Sequence, residues 1–332
     1  MLNNKVILIT GGSGSFGKKF IERVFAKYKP RKIIVYSRDE YKQFKMRQQY
    51  KKWDSRIRYF IGDVRDKERL MRAFEGVDYV IHAAALKQVP ACEYNPIEAV
   101  KTNISGAQNI VEAAIDRGVR RIVALSTDKA VNPINLYGAT KLASDKLFIA
   151  ANAYSGARAT VFSVVRYGNV AGSRGSVIPF FKMLIDKGEA ALPITDGKMT
   201  RFWITLDQAV DLVFLALATA KGGETYVSKI PSFKITDLAK AMAPGGRLTD
   251  VGMREGEKLH EMMVTEYDSF TTYEYDKHYI IYPQFDWWNA ARHFTKGGKR
   301  VKPSFRYSSD ENAQWLSVAD IRAKLGELAI EY

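Results

Sequence analysis

The chain of 332 residues contains a single cysteine, Cys92, and only four histidines. One cysteine excludes an intramolecular disulfide and a cluster of thiolate metal ligands. The histidines His82, His260, His278 and His293 are too scattered to form a recognisable metal-ligand spacing. The sequence therefore predicts a protein that holds no metal ion and that does not depend on disulfides for its fold.

Long hydrophobic runs are also missing. The longest apolar segments, Val6–Ile9 and 77–85, are far shorter than the roughly 20 residues that a membrane-spanning helix needs. The amino terminus has no pattern of a secretory signal peptide. Apolar residues make up 46% of the chain and charged residues 26%, which is ordinary for a globular protein. We expect a cytoplasmic protein that does not insert into a membrane.

Positive charge, in contrast, is abundant. The 51 lysines and arginines outnumber the 36 aspartates and glutamates, which gives a net charge of +15. Such a surplus attracts nucleic acids and other polyanions. The basic residues are spread along the chain, with local concentrations at 42–58 and 292–302, and we recognise no nucleic-acid-binding module. Anionic small molecules, rather than nucleic acid, are the expected partners.

A glycine-rich turn near the amino terminus predicts a dinucleotide site. The apolar run Val6–Ile9 has the pattern of a strand, Thr10–Gly17 (TGGSGSFG) follows it, and an amphipathic helical pattern comes next. Strand, glycine turn and helix in this order form a dinucleotide-binding fingerprint. Gly11 and Gly14 allow a tight turn close to a pyrophosphate, and Gly17 allows close packing between helix and strand.

The segment 126–141 concentrates side chains that can move protons. Tyr137 and Lys141 are four residues apart, which places both on one face of a helix. A nearby lysine cation stabilises a phenolate, so that tyrosine can take a proton from an alcohol well below its usual pKa of about 10. Asp128 and Lys129 add an acid and a base that simple alcohol oxidation does not need.

Short apolar strands alternate with helix-length segments through the first half of the chain. This alternation predicts an α/β fold with a doubly wound, mostly parallel Rossmann sheet that has helices on both faces. The second half is less regular, and beyond Thr265 its pattern is aromatic and loop-like. We predict a dinucleotide-binding domain formed by 1–168 and 204–227, and a smaller α/β substrate domain formed by 169–203 and 228–332.

Several uncommon strings, taken in order, resemble the extended short-chain dehydrogenase/reductase superfamily. More narrowly, the chain looks like the inverting UDP-N-acetylglucosamine 4,6-dehydratases that begin the pseudaminic acid pathway. The resemblance covers nearly the whole sequence. The strings are TGGSGSFG at 10–17, YSRDE at 36–40, FIGDVRD at 60–66, HAAALKQVP at 82–90, STDKA at 126–130, RYGNV at 166–170, GSRGSV at 172–177 and MTRFW at 199–203.

The resemblance implies NADP as the cofactor. Ser37 and Arg38 follow the second strand, where an NAD enzyme usually has an acid against the ribose, and an arginine there suits a 2′-phosphate. Asp39, one position later, leaves NAD open. The implied cofactor site consists of Gly11, Gly14, Ser15, Phe16, Gly17, Ser37, Arg38, Asp39, Lys42, Asp63, Val64, Ala83, Lys87, Tyr137 and Lys141.

The resemblance also implies catalytic roles. Tyr137 takes the proton of the sugar's 4-hydroxyl, Thr127 hydrogen-bonds that hydroxyl, and Lys141 lowers the pKa of Tyr137 and binds the nicotinamide ribose. Lys129 takes the 5-proton, and Asp128 protonates the departing 6-hydroxyl. Retaining dehydratases that act on dTDP-glucose have glutamate in the position of Lys129, so lysine there favours inversion at carbon 5.

The implied substrate is UDP-N-acetylglucosamine. Ile178 and Phe181 are explained equally well as core residues. A homo-oligomer based on a dimer is a further expectation, with the helices predicted at 96–117 and 137–152 as the paired surfaces. The implied substrate site consists of Lys87, Asn169, Ile178, Phe181, Arg201, Arg254 and Glu257.

Two rival functions remain open at this stage. A nucleotide-sugar 4-epimerase would use the same glycine turn with Thr127, Tyr137 and Lys141, but it would not need Asp128 and Lys129. A binding module that senses NADP would bind the cofactor without turnover, and the intact set of acid, base and phenol argues against it.

Overall fold

The computed structural model describes residues 1–156, 160–173, 175–189, 191–284 and 295–328. Arg174 and His293, which the sequence analysis includes, lie outside these ranges. The strands are β1 (Val6–Thr10), β2 (Lys32–Ser37), β3 (Ile57–Ile61), β4 (Tyr79–His82), β5 (Arg121–Thr127), β6 (Val161–Tyr167), β7 (Ala191–Ile194), β8 (Thr200–Phe202), β9 (Thr225–Ser228), β10 (Ser232–Lys234), β11 (Arg247–Asp250), β12 (Met262–Val264), β13 (Thr272–Glu274), β14 (His278–Ile281), β15 (Lys299–Arg300) and β16 (Tyr307–Ser308).

The α-helices alternate with the strands through the first half of the chain. A π-helical turn, Lys101–Ser105, joins α5 to α6, so the predicted helix at 96–117 is nearly continuous. The helices are α1 (Ser15–Lys27), α2 (Glu40–Gln49), α3 (Lys67–Ala73), α4 (Val89–Tyr94), α5 (Pro96–Val100), α6 (Gly106–Asp116), α7 (Leu136–Tyr154), α8 (Val177–Asp186), α9 (Leu206–Thr219), α10 (Ile235–Met242) and α11 (Val318–Gly326). In the part of the chain covered by these ranges, no helix has both the length and the apolar character needed to cross a membrane.

One large sheet organises the described part of the molecule. Its strands follow the order β15-β13-β14-β9-β6-β5-β4-β1-β2-β3, and those from β9 to β3 are all parallel. The chain builds outward from β1 to β3 and then crosses back to β4, so a topological switch point lies between β1 and β4. The predicted doubly wound Rossmann sheet is confirmed. Ligands bind such sheets at the carboxyl ends of the strands.

Helices cover both faces of this sheet because the central strands are apolar on both sides. On one face, Phe20 and Val24 of α1 pack with Val213 and Leu217 of α9 against the sheet. On the other face, α6 and α7 contribute a second cluster that includes Phe148. The helices therefore anchor both faces of the sheet and leave the loops at its carboxyl edge available for ligands.

Beyond Thr265, the described residues add three short strands to the main sheet, so the interpretation of this segment as loop-like is only partly right. β14 pairs antiparallel with β9, β13 with β14, and β15 with β13. Tyrosines along this segment, such as Tyr273 and Tyr279, have high β propensity, but strands this short carry no long apolar run. The division that assigns all of 228–332 to a second domain stays a prediction, and it separates these strands from the sheet that they join.

A smaller lobe lies beside the main sheet. It contains the parallel pair β7–β11, the antiparallel pair β8–β10 and the helices α8, α10 and α11. Its apolar core is a separate cluster that includes Trp203, Phe233, Leu238 and Ile321. This lobe supplies the second wall of the candidate site.

Candidate active site

A cleft of about 890 Å³ opens at the carboxyl edge of the parallel sheet. Five strands end in it, and they place Gly11, Ser37, Ala83, Thr127 and Tyr167 along its floor. This is the position that a doubly wound topology predicts for a ligand. The predicted site residues that line it are Gly11, Gly14, Ser15, Phe16, Ser37, Arg38, Asp39, Lys42, Asp63, Val64, Ala83, Lys87, Thr127, Asp128, Lys129, Tyr137, Lys141, Asn169, Arg201, Arg254 and Glu257.

Three predicted site residues do not line the cleft. Ile178 and Phe181, which are 3% and 1% exposed, lie in the apolar core of the smaller lobe. They occupy the buried face of α8, so the structure assigns them to packing rather than to substrate contact. Gly17 is buried beneath the glycine turn, where an added Cβ would lie 2.3 Å from the carbonyl oxygen of Gly12. Its role is the close packing expected from the sequence.

The turn between β1 and α1 has the shape that a dinucleotide requires. Gly11 has φ +64°, and a Cβ on it would lie 2.9 Å from the backbone nitrogen of Ala84. The backbone N–H of Gly14 donates to the Gly11 carbonyl at 2.9 Å, which closes the turn directly before α1. The backbone is thus left bare at a helix amino terminus, where a pyrophosphate fits. The residues present suit a nicotinamide dinucleotide.

The turn after β2 presents positive charge to the cleft. The Asp39 carboxylate caps α2 by accepting from the backbone N–H of Lys42 at 2.9 Å, and it also pairs with the Lys42 Nζ at 2.8 Å. These hydrogen bonds from Lys42 hold the pKa of Asp39 below its ordinary value. The Arg38 guanidinium is largely exposed and lies 3.6 Å from Asp63. Because the Asp39 carboxylate is already used to cap α2, Arg38 is better placed than Asp39 to contact a 2′-substituent of the cofactor's ribose.

The catalytic segment is held by two local structures. A short 3₁₀ helix, Asp128–Ala130, follows β5 directly, and Asn135 caps α7 by accepting from the Gly138 backbone N–H at 2.8 Å. Gly138 approaches this 3₁₀ helix so closely that a Cβ on it would lie 2.1 Å from the Lys129 carbonyl oxygen. The contact brings Tyr137 next to Thr127, Asp128 and Lys129.

Burial raises the pKa of Tyr137 to about 12, and the charge of Lys129 and a hydrogen bond with Thr127 act in the opposite direction. The sequence analysis assigned this lowering effect to Lys141. Burial lowers the pKa of Lys141 itself, and the charge of Asp145 opposes that shift. Asp145 is buried, and it accepts from the Ser126 hydroxyl at 2.5 Å. Among the protein's own side chains, Lys129 is therefore a principal cation acting on Tyr137.

Asp128, Lys129 and Glu261 form a cluster of three charged groups. The Lys129 Nζ lies 3.2 Å from Asp128 Oδ1 and 3.0 Å from Glu261 Oε1, and Thr127 donates to Asp128 Oδ1 at 2.9 Å. Among the described residues, Asp128 Oδ2 and Glu261 Oε2 are buried without a hydrogen-bond partner. Unpaired buried oxygens of this kind are costly, and they are expected where a ligand completes the hydrogen bonding.

The cluster sets the protonation of its members. Burial raises the pKa of Asp128, and the nearby charge of Glu261 adds to this effect, which suits a proton donor. Burial alone would lower the pKa of Lys129, but the charges of Asp128 and Glu261 outweigh it and hold the pKa above its ordinary value. Burial would raise the pKa of Glu261, but Lys129 and Arg201 outweigh it and keep the pKa lowered. These shifts favour the ammonium form of Lys129 and the carboxylate form of Glu261.

Two further residues, Glu261 and Lys258, line the cleft and are not among the site residues predicted from the sequence. Glu261 is 132 residues from Lys129 in the chain and belongs to no motif that we recognised. The Lys258 ammonium donates to the Val131 carbonyl, beside the catalytic segment. Residues so distant along the chain carry no local signal, because only the folded chain brings them to the catalytic segment.

The parallel strand order, the glycine turn after β1 and the Tyr-x-x-x-Lys pair on the helix after β5 together define an extended short-chain dehydrogenase/reductase.

The sequence comparisons agree with this class. Residues 7–283 match the family described as polysaccharide biosynthesis protein. Over 326 residues, 97% of each chain, the sequence is 55% identical to a Campylobacter jejuni (serotype O:23/36, strain 81-176) protein named UDP-N-acetylglucosamine 4,6-dehydratase (inverting). It is 39% identical, over 100% of this chain and 98% of the other, to a Rickettsia akari protein named UDP-glucose 4-epimerase.

A solved structure extends the likeness to the fold. Pen from Bacillus thuringiensis superposes with a TM-score of 0.89 at 39% identity, and 98% of each chain is covered. The chain therefore belongs to the polysaccharide biosynthesis protein family of the extended short-chain dehydrogenases/reductases.

Proposed function

We propose that this protein removes water from UDP-N-acetylglucosamine across carbons 4, 5 and 6 and inverts carbon 5. The product is a UDP-2-acetamido-2,6-dideoxy-L-hexos-4-ulose, and the enzyme is a lyase. The observation that carries this proposal is the buried Asp128–Lys129 pair next to Tyr137, which an enzyme that only oxidises an alcohol does not need. The relative of 55% identity bears the corresponding name. We assign the product to pseudaminic acid-type sugar biosynthesis.

The cofactor in this proposal is NADP. Support comes from Arg38 and Lys42, which line the cleft at the end of β2, and from the use of Asp39 as a helix cap. An arginine fork matches the geometry of a phosphate, whereas an acid that faces the ribose would favour NAD. The chemistry that NADP⁺ supplies when bound is the uptake of a hydride from carbon 4 and its later return to carbon 6.

Oxidation at carbon 4 comes first because the resulting ketone acidifies the neighbouring 5-proton. Tyr137 takes the proton of the 4-hydroxyl, and Thr127 orients that hydroxyl with its own side chain. Lys129 and Thr127 favour the phenolate that burial disfavours. Lys141, which is 3% exposed, is fixed on the same face of α7 and is placed to bind the nicotinamide ribose.

Elimination then uses the charged cluster. The neutral amine of Lys129 takes the 5-proton, and Asp128 gives a proton to the departing 6-hydroxyl, which leaves as water. When hydride returns to carbon 6, a proton reaches carbon 5 from the opposite face of the ring, and this inverts that carbon. A raised pKa keeps Asp128 protonated over a wider pH range, as this role requires. General acids and bases of this kind each contribute about 10²–10⁴-fold to a rate.

The substrate's diphosphate and uracil are assigned to the wall formed by Arg201, Arg254, Glu257, Asn169 and Lys87. Arg201 is 7% exposed, and its Nη1 donates to the carbonyls of Thr200 and Leu259 at 2.7 and 3.1 Å. These backbone contacts fix the guanidinium and leave Nη2 for a phosphate oxygen. A rigid arginine costs less entropy on binding than a mobile one.

A nucleotide-sugar 4-epimerase is the second candidate, favoured by the 39% identity to the Rickettsia akari protein of that name. An epimerase returns the hydride to carbon 4 and forms no methyl group. It gives no role to the buried acid and base, which otherwise only add the desolvation cost of a buried ion pair. The dehydratase accounts for both residues.

Proton NMR in deuterated water, with purified protein, UDP-N-acetylglucosamine and no added cofactor, tests the proposal. We expect a 6-methyl signal, deuterium at carbon 5 and an L-configured 4-keto product. Tyr137→Phe should abolish the product, whereas Tyr154→Phe, an exposed tyrosine near the end of the same helix, should not. A 4-epimer without a methyl signal would establish the epimerase instead.

Assembly and location complete the proposal. We place a dimer contact on α7 and on α6 with the π-helical turn that precedes it. Ile104 of this turn and Leu142 of α7 are partly exposed apolar residues. Sedimentation equilibrium should then give at least twice the 37.5 kDa mass of one chain. A cytoplasmic location stays a prediction.

A further inference from the structure

Glu261 is fixed at the meeting point of the two lobes. Two hydrogen bonds to Ser309 hold its backbone in place. The Glu261 N–H donates to the Ser309 hydroxyl at 2.9 Å, and the Glu261 carbonyl accepts from the Ser309 N–H at 2.8 Å. Its side chain is 2% exposed. One oxygen, Oε1, lies 3.0 Å from the Lys129 Nζ and 3.8 Å from the Arg201 Nε. The carboxylate therefore joins the catalytic lysine to an arginine assigned to the substrate.

Lys129 can act as a base only after its ammonium has lost a proton. The charged and titratable groups that face it are Asp128, Glu261, Arg201, Lys258 and Tyr137. Asp128 cannot take the proton, because it must hold one of its own for the 6-hydroxyl. Arg201 and Lys258 are cations, and Tyr137 receives its proton from the sugar. The remaining acceptor is Glu261, to which Lys129 already donates a hydrogen bond.

Substrate binding supplies the driving force for this transfer. A nucleotide sugar in the cleft displaces water from a cluster that is already largely buried. Removal of water disfavours a separated ammonium and carboxylate relative to a neutral amine and a carboxylic acid. The substrate's diphosphate also competes with Glu261 for the guanidinium of Arg201, which makes the carboxylate easier to protonate.

We propose that Glu261 is a positioning residue that holds Lys129 in the cleft and, with the substrate bound and once carbon 4 has been oxidised, accepts a proton from its ammonium. The N–H bond of Lys129 breaks, an O–H bond forms on Glu261 Oε1, and the charge of the pair stays zero. The free amine then takes the 5-proton, and the electrons of the C–H bond pass to the ketone at carbon 4. This inference rests on the proposed dehydratase function.

The test separates the two halves of the reaction in the holoprotein. Glu261→Gln keeps the size of the side chain but cannot take a proton. We expect it to slow formation of the 6-methyl product and deuterium uptake at carbon 5 by at least about 10²-fold, as for loss of an acid–base group. Reduction of the bound nicotinamide in a single turnover, which reports oxidation at carbon 4, should stay at the wild-type level. Glu261→Asp should recover part of the dehydration.

Glu224→Gln is the matched control. Glu224 is equally buried at 2% exposure, but it binds the backbone N–H groups of Lys221 and Gly222 at 2.7 and 2.8 Å and does not line the cleft. This variant should leave both half-reactions unchanged. If Glu261→Gln does not fold, the test uses Glu261→Asp instead. We then expect slower dehydration than in the wild type and unchanged oxidation at carbon 4.

Two outcomes would overturn the proposal. If Glu261→Gln dehydrates as fast as wild type or faster, Glu261 only raises the pKa of Lys129, since its removal then frees more of the neutral amine. If folded Glu261→Gln loses oxidation as well as dehydration, the residue serves substrate binding or structure. Failure of the proposed function is distinct from both, because the wild-type protein would then form no methyl product.

Discussion

The hydroxyl of Thr127 contacts two proton-transfer groups of the site, the acid Asp128 and the base Tyr137. It lies 2.9 Å from Asp128, and hydrogen bonding to Tyr137 is one of the two effects that counter the rise of that tyrosine's pKa to about 12. A base must be deprotonated to act, so oxidation at carbon 4 should become faster as the pH rises towards the pKa of Tyr137.

Thr127→Val, which keeps the shape but removes the hydroxyl, should therefore move this rising limb to higher pH and lower the rate at neutral pH. The measurement is the pH dependence of nicotinamide reduction in single turnovers. Thr127→Ser retains the hydroxyl and serves as the control with an unshifted limb. If the rising limb of Thr127→Val stays at the same pH, Lys129 alone counters the rise in the pKa of Tyr137.

Stability should depend on the charged cluster as a unit. Lys129→Met leaves the Glu261 carboxylate buried without its ammonium next to the Asp128 carboxyl, and breaking a buried ion pair from one side costs about 3–5 kcal/mol. Any charge on Asp128 would be orphaned in the same way. Adding Glu261→Gln removes the orphaned charge of Glu261, so the double variant should be more stable than Lys129→Met alone. Urea unfolding of the single and double variants measures this coupling. Additive losses in the free energy of unfolding would contradict a shared electrostatic unit.

At the scale of elements, local patterns were sufficient wherever the chemistry is local. Two features could be recognised from the sequence alone: the glycine turn between β1 and α1, and the Tyr137/Lys141 spacing on α7. Their residues are neighbours in sequence and remain neighbours in the structure. The sequence left Ile178 and Phe181 open between core and substrate contact, since the face that α8 turns to the core depends on its packing partners. β13 and β14 were missed because short aromatic strands show a clear pattern only beside the strand that they pair with.

The turn from β2 into α2 should decide between the two nicotinamide cofactors. Arg38→Ala removes the exposed guanidinium but leaves the Asp39 cap and its hydrogen bond to Lys42 intact. The loss of a charge-assisted contact to a phosphate costs about 1.5–3 kcal/mol, so we expect roughly tenfold or more weaker NADP binding with NAD binding little changed.

Isothermal titration of both cofactors into cofactor-free protein measures this preference. The control is Arg47→Ala. Arg47 is an exposed arginine of α2 that pairs with Asp54 and does not line the cleft. Equal weakening of NADP and NAD by Arg38→Ala would show that the arginine contacts a group common to both cofactors, and the assignment of NADP would lose its main support.

The net charge of +15 acts at the scale of the whole molecule, because both proposed ligands are anions. A positive field raises the encounter rate of anionic ligands, and dissolved salt screens it beyond a distance of about 8–10 Å. The Asp128–Lys129–Glu261 cluster is buried and should be much less affected by salt. Raising the ionic strength should therefore increase KM for UDP-N-acetylglucosamine and leave kcat nearly constant.

Steady-state kinetics over a series of sodium chloride concentrations measures this division, with sucrose at matched osmolality as the uncharged control. A fall in kcat at constant KM would mean that salt reaches the buried cluster. A constant KM and kcat would mean that the surplus of positive charge lies away from the ligand's path to the cleft. In that case the basic surface would require a partner other than the nucleotide sugar, and the charge would be unrelated to catalysis.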